Sequence, residues 1–230
     1  MVNDGRIPGW SHHYRSCRRR ADKPSFVCIF SKKINDKSIA IYANKPASES
    51  YASDIEQAIR QHGIQPHVLV HRGHSYHVAE TLAHIPETAA IVFLGNCGSY
   101  SELDAALAKA PEAHIISTQG IGSRTVNDPL LKALNDHLLR GHDLRWADFW
   151  KQAAALLAHN PRFADYLPPD QNTGAIFLKA YRSLTTPQRL ATPHNIPSHV
   201  PVAHTLVAGQ DPVRVAPLVS WVRACQAMPQ

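Results

Sequence analysis

Two tetrapeptides carry the residues best suited to covalent chemistry: His71-Arg72-Gly73-His74 and Gly95-Asn96-Cys97-Gly98. A cysteine thiolate is a strong nucleophile, and an imidazole is the side chain that can take and return its proton near neutral pH. Each tetrapeptide ends an apolar run, residues 68–70 (VLV) and residues 91–94 (IVFL). Runs this short and this apolar read as strands buried on both faces. Laid side by side and parallel, they would bring a histidine and a cysteine to one sheet edge, on turns that glycine makes sharp.

The other cysteines have no such setting. Cys28 lies inside an apolar run, Cys17 in a polar stretch and Cys225 near the C-terminus, with no C-x-x-C pair among the four. That argues against a disulfide framework or a cysteine-rich zinc site and fits reduced thiols in a cytoplasmic protein. The base has two candidates, His74 after the glycine and His71 at the strand end. His71, His74 and His77 with Glu80 also suggest a hydrolytic metal. However, H-x-x-H-x-x-H matches neither the four-residue spacing of helix ligands nor the two-residue spacing of strand ligands, so no metal or cofactor is assigned.

Around these turns the chain alternates. Apolar strands are expected near residues 38, 66, 89 and 113, with a helix in each gap, the β-α-β signature of a parallel sheet with right-handed crossovers. The expected fold is α/β, a three-layer sandwich with a mainly parallel sheet flanked by helices. Residues 25–31 (SFVCIFS) read as a further strand, forming a hairpin with residues 38–43 or lying beside them, after a charged turn at 32–37. Ser99 or Ser101 is the expected cap of the helix over 101–110. Asp128 and Pro129 are expected to open a leucine-rich helix that stops at Gly141, and a helix over 143–157 packs Trp146, Phe149 and Trp150 against the sheet. Tyr166-Leu167-Pro168-Pro169 reads as a break, and residues 174–184 as a returning helix.

The ends are expected to differ from this body. The formal charge of +6 resides in residues 1–40, with nine Lys/Arg against three Asp/Glu, while residues 41–230 carry fifteen of each. Residues 1–25 therefore read as a polar, basic, disordered leader, solvated and not nucleic-acid-binding, since no aromatic interleaving of the basic residues and no nucleic-acid module accompany the charge. Residues 26–184 form the domain. Residues 185–230 read as a proline-rich tail ending in a short helix at about 219–227. No run has the length and apolarity of a signal peptide or membrane span.

A strand followed by Gly73-His74-Ser75, and then a strand followed by Cys97-Gly98, resembles the caspase-like (clan CD) cysteine peptidases, which include caspases, metacaspases, separases, legumains and gingipains. The separation of 97 minus 74, or 23 residues, is similar to that of separases. HRGHSYH, IVFLGNCGSY, TVNDP and GAIFLKAY are similar to segments of a bacterial family carrying this domain, over roughly residues 38–184. The resemblance implies a caspase-like sheet, a peptide or protein substrate and hydrolysis through a thioester on Cys97, with His74 as base and then acid. It also implies an oxyanion hole of backbone N–H groups near Cys97 and the histidine turn, where Gly73, Ser75 and Gly98 shape the backbone. Gln119, Ser123 and Asp128 lie where a specificity pocket would have its wall, and Asp128 would favour a basic substrate residue or else cap a helix. The chain departs from the family pattern at Ser75, where glycine usually follows the histidine, and at Asn96, where a small residue precedes the cysteine. A catalytically inactive interaction module of the same fold is the alternative.

Overall fold

The computed structural model describes residues 11–13, 27–34, 37–44, 51–141, 143–185 and 221–222 of the 230. Two sheets form. In the first, β1 (Ser11–His13), β2 (Val27–Ile34) and β3 (Lys37–Asn44) pair antiparallel in that order. Helix α1 (Tyr51–Gln61) then leads to the second sheet, built on β4 (Val68–Arg72), β5 (Ile91–Leu94) and β6 (His114–Thr118). These three are parallel neighbours, joined through α2 (Val78–Ala83) and α3 (Leu103–Lys109). After β6 come α4 (Arg124–Arg140) and α5 (Trp146–Leu156), an antiparallel edge strand β7 (Tyr166–Leu167), α6 (Thr173–Thr185) and finally β8 (Trp221–Val222). The full order is β7-β6-β5-β4-β8.

Alternation along the strands explains the layers. Leu69, Val92, Leu94 and Ile115 pack with α1, α2, α3 and α6 in one cluster. Val68, Val70, Ile91, Phe93 and Ile116 pack with α4 and α5 in the other. Successive side chains of a strand point to opposite faces, so a strand covered on both sides must be apolar throughout. The chain is thus a three-layer α/β protein. β3 divides its side chains in the same way, with Tyr42 in the first cluster and Ile39, Ile41 and Ala43 in the second. The aromatic helix packs as its sequence suggests: Trp146 and Phe149 are buried edge to face at 6.0 Å, and Trp150 stacks on Phe163.

Several sequence-based expectations are corrected. The strand near residue 38 forms the expected hairpin with β2 and so does not join the parallel sheet; Ile34 pairs with Lys37, so the supposed charged turn at 32–37 lies mostly within strands. Residues 11–13 of the supposed leader form β1 against β2. Trp221 and Val222, expected in a terminal helix, pair with His71 and Arg72 and cover the open edge of β4. A short apolar run does not reveal its period, and an exposed sheet edge recruits it. The supposed break at Tyr166-Leu167 is β7. Helix α4 starts at Arg124 after Ser123, not at Asp128, because buried Val126 and Asn127 draw one more turn into the core. Pro129 therefore sits inside the helix. Neither Ser99 nor Ser101 caps α3 with its side chain; a 3-10 turn, Ser99–Glu102, precedes that helix. The remaining expectations for residues 1–25 and 186–230 lie outside the described residues.

Two predictions follow from this packing. Phe93→Ala, at a fully buried position in the central strand, is expected to cost about 3–5 kcal/mol, measured by urea unfolding. Glu56 in α1 accepts from Arg60 and pairs with His84 Nδ1 at 2.8 Å. Burial raises its pKa, but the Arg60 hydrogen bond and the His84 and Arg60 charges outweigh this and leave it below the ordinary 4.5. A lowered folded pKa contributes stability above the unfolded value that is lost as pH falls through the folded one. The stability gap between Glu56→Gln and the parent chain should therefore be present at neutral pH and close below 4.5. A gap independent of pH would contradict this.

Candidate active site

The β4–β5 register sets the site. His71 pairs with Leu94, and the Gly95 N–H donates to the His71 carbonyl at 2.8 Å, so the ladder persists to the ends of both strands. His74 and Cys97 each lie three residues beyond that pair. Neighbouring strands are about 4.8 Å apart, so the two residues leave the same edge in adjacent loops. Each loop then enters a 3-10 turn, Ser75–His77 before α2 and Ser99–Glu102 before α3. His74 is half-buried with an extended backbone, and its ring stacks on Tyr76 with centroids 5.1 Å apart. Cys97 is exposed and unbridged.

The cysteine turn is held by buried polar groups. Thr118 Oγ1 donates to the Asn96 carbonyl, and the Thr118 N–H donates to Ser99 Oγ at 2.8 Å. Ser99 Oγ in turn donates to the Leu94 carbonyl at 2.7 Å. Ser99 and Thr118 are fully buried, so these bonds have no competing water. Gly98 adopts φ +64°, a left-handed conformation that costs a side-chain-bearing residue energy, and its N–H donates to Gly120 at 2.8 Å. A β-carbon on Gly122 would lie 2.6 Å from the Asn96 carbonyl carbon, so only glycine allows that approach.

A second layer of bonds fixes the loop that follows β6. Asn127 Nδ2 donates to the Gly95 carbonyl at 2.9 Å, and the Tyr166 hydroxyl donates to Asn127 Oδ1 at 2.8 Å. The Ser123 N–H donates to the Tyr166 oxygen at 2.7 Å. Asp165 accepts through its carbonyl from the Gln119 N–H and through Oδ2 from the Ile121 N–H. Asn127, Tyr166 and Asp165 escaped sequence reasoning, because their partners lie 32 to 46 residues away and no local pattern marks them.

The two imidazoles have different surroundings. His71 is 2% exposed; its Nδ1 meets Thr81 Oγ1 at 2.7 Å and its Nε2 meets the His74 carbonyl at 3.3 Å. Both nitrogens are occupied in tying β4 to α2 and to the His74 turn. Of the remaining candidates, Gly73 is buried and Ser75 is exposed at the start of the 3-10 turn. The Gly98 N–H is committed to Gly120, so it contributes turn geometry and not a ready oxyanion donor. Gln119 is exposed, and Ser123 is the residue before α4, with its hydroxyl 2.9 Å from that of Thr125. Asp128 is no helix cap. It pairs with Arg72 at 2.5 Å and with Arg124 at 3.2 Å. Among the described residues, no three His, Cys, Asp or Glu side chains gather as a metal-binding group.

The fold and this edge define a class: a three-layer α/β protein with a thiol and an imidazole on neighbouring loops at the C-terminal edge of a parallel sheet. Compared with protein-family models, with curated proteins and with solved structures, the chain matches none. No helix of the described residues is long and apolar enough to cross a membrane.

Thr118→Val, which keeps shape and removes the hydroxyl, is expected to destabilise by about 1–3 kcal/mol in urea unfolding, because the Asn96 carbonyl loses its buried donor. His71→Phe should cost a similar amount by stranding Thr81, whereas His74→Ala should change stability by about 0.5 kcal/mol or less. Equal losses for the two histidines would contradict the division between them.

Proposed function

We propose that this chain is a cysteine peptidase in which Cys97 is the nucleophile and His74 the proton carrier. The β4–β5 register carries the reading, since it brings an exposed thiol and a half-buried imidazole to equivalent positions beyond adjacent parallel strands. The resemblance of the two turns to those of caspase-like peptidases supports it.

The chemistry follows from the residue types. His74 takes the Cys97 proton, and the sulfur attacks the scissile carbonyl carbon to form a tetrahedral oxyanion. Collapse breaks the C–N bond, the imidazolium returns its proton to the leaving amine, and a thioester remains on Cys97. Water, deprotonated by His74, attacks the thioester; the carboxylic acid leaves and the thiol is restored. The Tyr76 ring on one face of His74 limits imidazole rotation, which favours a single geometry for both transfers.

Iodoacetamide labelling, followed by mass mapping, tests the nucleophile. Cys97 is expected to react fastest of the four cysteines at neutral pH, and His74→Ala is expected to slow it. Peptide cleavage should vanish in Cys97→Ala and fall by about 10²–10⁴ in kcat/KM in His74→Ala. A Cys97 no more reactive than Cys17, or cleavage that survives Cys97→Ala, would sink the proposal.

A further inference from the structure

Two short backbone segments meet beside the thiol. Gly98 donates its N–H to the Gly120 carbonyl, and Gly122 presses on the Asn96 backbone. Residues 120–122 therefore lie against residues 96–98, which brings the Ile121 backbone beside the Cys97 turn. Cys97 and Ile121 are both exposed, Ile121 at 46%. A large, exposed aliphatic residue thus lies on the loop that borders the candidate nucleophile.

The opposite flank is apolar as well. The strand order β6-β5-β4 puts the Cys97 turn between the loop carrying Ile121 and the loop carrying His74 and Tyr76. Tyr76 is 73% exposed while its ring stacks on His74 and tilts against His77 at 4.1 Å. The acid expected to attract a basic substrate residue is otherwise engaged. Asp128 holds Arg72, whose side chain is 10% exposed, so a substrate cation would have to displace a buried guanidinium.

Resting on the reading of Cys97 as nucleophile, we infer that the substrate is a peptide with an apolar side chain next to the scissile carbonyl, seated against Ile121 with Tyr76 on the far side. Covering an exposed isoleucine and a tyrosine face stabilises the complex through the water released. An aspartate at that position would lose hydration against Ile121 and meet the Asp165 carboxylate, and an arginine would have to compete for Asp165 with the Ile121 N–H and with Arg162 at 3.8 Å.

The test uses acetylated leucyl, arginyl and aspartyl chloromethyl ketones on the full chain, with each rate divided by the iodoacetamide rate of the same variant. The leucyl probe is expected to alkylate Cys97 at least about tenfold faster than the other two, a discrimination typical of apolar pockets. Ile121→Ala should shrink that ratio about fivefold, Ile121→Glu should reverse it in favour of the arginyl probe, and Tyr76→Ala should reduce it. Arginyl or aspartyl preference, or a leucyl preference that Ile121→Ala leaves intact, would overturn the inference while leaving the nucleophile standing. Slow iodoacetamide labelling of Cys97 would instead overturn the nucleophile itself, and the substrate inference with it.

Discussion

The parallel pairing of β4 with β5 is the constraint on which the site depends. One residue of slippage would turn every buried side chain of a strand to the other face, exchanging the partners of Phe93 and Val92 between the two helical layers. Because both faces are covered, that exchange is prohibitive, and the register holds. The equivalence of His74 and Cys97 beyond the paired ends is then a consequence of core packing. The candidate pair is positioned by residues that are not part of it.

Register alone does not shape a loop. The cysteine turn owes its form to Thr118 and Ser99, whose hydroxyls satisfy the backbone of β5 and of Asn96 where water is excluded. Such a circuit is worth most when complete, since each buried carbonyl left without a donor costs about as much as several exposed hydrogen bonds contribute. The same demand for close fit explains Gly95 and Gly122. At Gly95, a β-carbon would collide with Asn127 and Phe93, and at Gly122 with the Asn96 backbone.

Charge is arranged to stabilise the edge more than to advertise it. The Arg72–Asp128 pair joins the end of β4 to α4 on the face opposite α2, while the His71–Thr81 bond joins the same strand to α2. β4 is thereby fastened to both helical layers just before the turn that carries His74. On the loops flanking the thiol, Ile121 and Tyr76 are the large apolar residues that stay exposed, whereas Asp128 is held by Arg72.

By itself the sequence determined the layered α/β class, the strands that carry the site and the prominence of Cys97, because buried strands are apolar on both faces and only one cysteine follows such a run between glycines. It also held His71 and His74 as alternatives, and local pattern could go no further. Tertiary structure alone decided the rest. It occupied both nitrogens of His71, kept the strand near residue 38 out of the parallel sheet, recruited Trp221 and Val222 to the edge of β4, and paired Asp128 with Arg72. Each outcome depends on partners distant in sequence. A residue's type limits what it can bind, whereas the packing of the layers determines which partner reaches it, and so Ile121, unremarkable in the sequence, lies on the loop packed against the cysteine turn.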